Sequence, residues 1–125
     1  MTKTRICVID DDDDLRETLG MMLGYEGYEV SDFASAREAI RRIEGGHPVD
    51  VILLDLMMPD MNGWEFCRYR IRSEILACVP VIVITARRPV TPPPGVSTVV
   101  YKPFDVDDLL QAISKSMAES SGARE

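Results

Sequence analysis

Histidine is almost missing from this chain of 125 residues: His47 stands alone, in the polar turn GGHP. A His-ligated metal or a Ser-His nucleophile pair therefore has little to be built from. Cysteine is also sparse. Cys7, Cys67 and Cys78 are odd in number, far apart and form no CxxC pair, so neither a disulfide framework nor a zinc site is signalled, and buried thiols are expected. No apolar run reaches the ~18 residues of a membrane-spanning helix. The start of the chain, MTKTRICVIDDDDD, breaks into acids after a few apolar positions, unlike a secretory leader. A cytoplasmic protein without membrane contact is expected. Positive charge is in the minority, with 14 Lys and Arg against 21 Asp and Glu and a net charge of -7. That balance disfavours direct contact with nucleic acid.

What is present is a 46% hydrophobic content, enough for one compact domain with a single core. We expect it to occupy residues 1–118, followed by a frayed polar tail over 119–125. Short β-branched runs alternate with helical patterns, the mark of a parallel sheet with crossover helices. RICVID reads as a first strand, and Leu15, Leu19, Met22 and Leu23 then recur at helical spacing until Gly24 and Gly27. A second strand lies near YEVSDF, and Ser35 with Glu38 forms a capping-box pattern before a second helix. VDVILLD and VPVIVIT are apolar without alternation, as expected of central strands covered on both faces. Between them Asn62 can cap a helix carrying Trp64, Phe66, Cys67 and Ile71. STVVY makes a fifth strand, and Asp105 opens a last helix with Val106, Leu109, Leu110, Ile113 and Met117. The expected fold is α/β: a doubly wound, flavodoxin-like, five-stranded parallel sheet in the order 2-1-3-4-5.

In such folds ligands bind beyond the carboxyl ends of the strands, which makes the strand-terminal residues informative. Strand one ends on Asp10 and Asp11, strand three on Asp55, strand four on Thr85, and Lys102 follows strand five. Carboxylates brought together repel unless a cation joins them, and oxygen-only ligands suit Mg²⁺. A lysine and a hydroxyl beside them suit an oxyanion such as a phosphoryl group. A calcium loop through Asp10, Asp12 and Asp14 fails, because Leu15 and Met21 stand where Gly and Glu are required. Asp12, Asp13 and Asp14 are read as acids favouring a helix N-terminus.

VIDDD, LLDLMMPDMNG, VIVITA and YKPF, in this order across nearly the whole chain, resemble the receiver domain of two-component response regulators. The resemblance implies a bacterial signalling switch rather than a conventional enzyme. It makes Asp55 the phosphoacceptor, fed by a sensor histidine kinase or phosphotransfer protein and read by an unidentified downstream protein. Asp10 and Asp11 would position Mg²⁺, with the backbone carbonyl of Met57 as a further ligand. Thr85 would turn to the bound phosphoryl group, Lys102 would pair with it, and the Lys102-Pro103 bond would be cis. Ala86 is small and leaves the donor room to enter.

Two departures from the family stand out. The segment between the Thr-bearing strand and the fifth strand, ARRPVTPPPGV, has four prolines in eleven residues, where relatives carry a fourth helix. Proline removes amide donors and clashes inside a helix, so an extended loop is expected instead. The aromatic switch residue of the family, three positions before the lysine, is Val99 here, and Tyr101 sits one position before the lysine. A docking module working through the Pro-rich loop without phosphate is the alternative function. An aspartate-nucleophile phosphatase is disfavoured because Met57 occupies the place of its second Asp.

Overall fold

The computed structural model describes residues 3–96 and 98–124, with side chains up to residue 119. The elements are β1 (Arg5–Ile9), α1 (Asp13–Tyr25), β2 (Glu29–Phe33), α2 (Ala36–Glu44), β3 (Val51–Asp55), α3 (Gly63–Arg70), a 3-10 turn (Leu76–Cys78), β4 (Val81–Thr85), β5 (Thr98–Tyr101) and α4 (Val106–Arg124). The strands form one parallel sheet in the order β2-β1-β3-β4-β5, as the sequence predicts.

Every residue of β3 and β4 is buried, which explains why both read as unbroken apolar runs. The strand period of two nevertheless divides them between two layers. Ile52, Leu54, Val81 and Val83 face α2 and α3, together with Ile43 and Phe66. Val51, Leu53, Ile82 and Ile84 face α1 and α4, together with Leu19, Leu23, Leu109 and Ile113. Each such side chain contributes about 1.5–3 kcal/mol of burial, so this two-sided core fixes the height of every strand end.

The helix starts are set by side-chain caps. Asp12 accepts from the N–H groups of Asp14 and Leu15, with Asp13 and Asp14 in the first turn. Ser35 accepts from Glu38 at 3.2 Å, the one half of its expected box that forms. The reciprocal box is instead closed by Asn62 and Glu65 at the start of α3.

Three expectations need correction. Ile71 is the C-cap of α3 and is exposed, because the helix ends there and the chain turns through the Arg72 and Ser73 N–H groups bonded to the Tyr69 and Arg70 carbonyls. Cys78, on that turn, is exposed, whereas Cys7 and Cys67 are buried. The backbone of α4 stays helical to Arg124, so residues 119–124 extend the helix rather than fray from it. Ser97, which the sequence assigns to the fifth strand, lies outside the described residues.

No helix is found among the described residues between β4 and β5. Val90 and Val96 of this Pro-rich loop pack against the layer that contains Phe66. The buried Arg70 guanidinium donates to the Val79 carbonyl at 2.9 and 2.7 Å, and burial lowers its pKa. A Cβ on Gly95, which has φ +79°, would stand 2.8 Å from Arg70 Nη1, so the loop lies directly on this arginine.

Gly63 allows the chain to fold back on itself just after Asp55. A Cβ there would meet Leu56 Cδ2 at 2.6 Å, Leu56 Cα at 2.8 Å and the Asp55 carbonyl at 3.0 Å. Gly63→Ala is therefore expected to cost about 1–3 kcal/mol through overpacking against backbone. Urea unfolding measures this, and an unchanged midpoint would contradict the packing argument.

Candidate functional site

Parallel pairing brings the carboxyl ends of β1, β3, β4 and β5 to one edge. Asp10 directly follows Ile9 and is 3% exposed, and its N–H donates to the Phe33 carbonyl at 3.2 Å. One carboxylate oxygen accepts from the Asp12 N–H at 2.9 Å, which turns the chain into α1. The other accepts from Lys102 Nζ at 3.3 Å. Lys102 Nζ also lies 3.8 Å from Asp55 Oδ1. Asp55, the last residue of β3, is 8% exposed. Asp11 is exposed, and carboxylate oxygens of Asp10, Asp11 and Asp55 all lie within 4.8 Å of one another.

This cluster carries three carboxylates against one ammonium. Burial raises the Asp55 pKa to about 6; Asp10 adds to the rise, Lys102 and the Met57 N–H oppose it, and Asp11 raises it further. A small oxygen-seeking dication matches that donor set and the charge surplus. Thr85 closes β4 one residue beyond Ile84, the register partner of Asp55, is fully buried, and accepts through Oγ1 from the Arg87 N–H at 3.1 Å. Its carbonyl accepts from the Lys102 N–H at 2.8 Å, which ties the lysine to β4. Ala86 is exposed at the rim, and the Lys102-Pro103 bond is cis.

The family model of the response regulator receiver domain matches residues 6–114. The chain belongs to that family. It is 36% identical over 129 residues to the response regulator MprA of Mycolicibacterium vanbaalenii, covering 97% of this chain and 54% of MprA. With the response regulator ArlR of Staphylococcus aureus it shares 32% identity over 115 residues, covering 88% of this chain and 51% of ArlR. The receiver thus spans about half the length of these curated relatives. Among solved structures it is similar to a CheY-like receiver domain protein from Methanospirillum hungatei, with TM-score 0.84 and 25% identity, covering 98% of this chain and 99% of the other. The chemotaxis protein CheY4 of Vibrio cholerae gives TM-score 0.81 and 26% identity, covering 92% and 99%.

The structure thus brings Asp10, Asp11, Asp55 and Lys102 of the receiver together, with Thr85 on the adjoining strand end. Met57 is 55% exposed, its N–H acting on the Asp55 carboxylate. Arg16 is a residue that the sequence pattern does not single out. Its guanidinium donates to the Asp10 carbonyl at 2.6 Å and to Asp32 at 2.8 Å, and it pairs with Asp13. The spacing of Asp13 and Arg16, three apart on a helix, could have flagged it. The contact of Arg87 with Met57 Sδ, at 3.9 Å, left no signal in the sequence, because it depends on the path of the loop.

The raised Asp55 pKa has a definite sign. Between the ordinary value of 3.8 and about 6, the native receiver holds a proton that the unfolded chain has lost, so stability falls as pH rises through this window. In metal-free buffer, carbon NMR of the Asp55 carboxyl is expected to titrate near 6, and lower in Asp10→Asn, where a repelling charge is gone. Titration at the ordinary aspartate value in both proteins would contradict the electrostatic picture.

Proposed function

We propose that Asp55 accepts a phosphoryl group from the phosphohistidine of a sensor kinase or phosphotransfer protein, which makes the receiver a Mg²⁺-dependent signalling switch. The observation that carries this reading is the placement of Lys102 between Asp10 and Asp55, at 3.3 and 3.8 Å, beside a cluster that a divalent cation fits. An Asp55 oxygen attacks phosphorus, the P–N bond breaks, and its electron pair returns to the imidazole nitrogen, which takes up a proton. The product is an aspartyl-phosphate, a mixed anhydride that hydrolyses readily.

Asp10, Asp11, Asp55 and the Met57 carbonyl would hold Mg²⁺, which supplies charge neutralisation to the transferring group. Lys102 provides a fixed positive charge beside the acceptor, and Thr85 offers a hydroxyl to the phosphoryl oxygens. Exposed Ala86 leaves the approach open. The receiver catalyses only its own phosphorylation and dephosphorylation, in a cytoplasmic setting. Its net charge of -7 argues against direct contact with nucleic acid. Docking without phosphate would leave this buried charge cluster without a role.

Incubation with Mg²⁺ and acetyl phosphate, followed by intact-mass spectrometry, tests the reading. One phosphoryl mass is expected, absent with chelator and absent in Asp55→Ala. No adduct from acetyl phosphate or from a phosphorylated kinase donor, with Mg²⁺ shown to bind, would overturn it. In thermal melts Mg²⁺ should raise the midpoint with concentration, by mass action on the folded state. Asp11→Ala should weaken that rise, and an undiminished rise would remove Asp11 from the metal site.

A further inference from the structure

The family's aromatic position holds Val99, which packs against the buried layer behind β5. A different set of contacts leads away from the site. The Arg87 N–H is bonded to Thr85 Oγ1 at 3.1 Å, and its guanidinium reaches Met57 Sδ at 3.9 Å. The same guanidinium lies over the Trp64 ring, 5.9 Å from its centroid. The Trp64 indole N–H donates to the Thr91 carbonyl at 3.4 Å, inside the Pro-rich loop. Thr85 and Met57 flank Asp55, so these contacts run without a break from the site to the loop that stands in place of a helix.

We propose that Arg87 and Trp64 are positioning residues that transmit the state of Asp55 to the Pro-rich loop. The proposal rests on the phosphoacceptor reading and adds its readout. An exposed guanidinium over an indole is a weak contact, whereas guanidinium matches phosphoryl oxygens with a planar, charge-assisted fork. Added negative charge on Asp55 therefore draws Arg87 off the ring. Without that cover, the 3.4 Å bond from Trp64 to Thr91 is already at the long end for N–H to O and gives way readily. Pro92, Pro93 and Pro94 each fix their own φ, so a displacement at Thr91 passes along a stiff segment to Gly95, where the loop meets Arg70.

The chain has a single tryptophan, so its fluorescence reports Trp64 alone. Beryllofluoride with Mg²⁺ stands in for the phosphoryl group, and fluorine NMR of the same sample reports how much of the Asp55 site it occupies. In wild type, occupancy is expected to shift Trp64 emission and to speed amide exchange at Val90 and Thr91. Arg87→Gln, brought to the wild-type occupancy with more beryllofluoride where needed, should lose the emission shift. Trp64→Phe should keep occupancy and lose the exchange response. Full occupancy with unchanged emission in wild type, or the same shift in Arg87→Gln, overturns the proposal. Failure of beryllofluoride to bind, together with no acetyl-phosphate adduct, overturns the phosphoacceptor reading itself and the transmission route with it.

Discussion

The repulsion among Asp10, Asp11 and Asp55, only partly met by Lys102, is the constraint around which the molecule is arranged. A chain does not place three carboxylates within 4.8 Å of one another without cost, and in Asp55 burial first, with the repulsion of Asp10 and Asp11 added to it, raises the pKa to about 6. The two-layered core offsets it by fixing the ends of β1 and β3 side by side, whatever their charges prefer. The result is a site with a standing demand for a cation. Such a site favours reactions in which further negative charge arrives together with that cation.

The loop between β4 and β5 shows how this receiver holds together with the extended segment that its prolines predict in place of a helix. Val90 and Val96 supply the apolar cover, Arg70 donates to the Val79 carbonyl beneath it, and Trp64 ties down Thr91. These anchors come from α3 and its surroundings, the element that begins directly after the Asp55 turn. The position of the loop is thus coupled to the same turn that presents Asp55 and Met57. The segment thus changes the surface beside β5 while the cluster of Asp10, Asp11, Asp55 and Lys102 keeps its geometry.

Much of the fold was legible because its signals are local. Continuous apolar runs marked β3 and β4, and Asp12, Ser35 and Asn62 marked the helix starts. The placement of Asp10, Asp55, Thr85 and Lys102 on one edge was legible because parallel strands deliver all their carboxyl ends to the same side of the sheet. The features that were not legible depend on tertiary paths. The contacts of Arg87 with Met57 and Trp64 reflect how eleven loop residues are draped. The exposure of Cys78 reflects the 3-10 turn, whose three residues carry no periodic pattern. The helical continuation of α4 past residue 118 was missed because polar composition was taken as a sign of fraying.

A charge cluster of this kind is built to be completed by a cation. Calorimetric titration of Mg²⁺ at pH 6, in two buffers of different ionisation enthalpy, tests that claim most directly, since binding must expel the proton that Asp55 holds near its pKa of about 6. The predicted result is Mg²⁺ binding with net proton release, and loss of that release in Asp55→Asn. Absence of binding, or binding with no difference between the buffers, would contradict the claim.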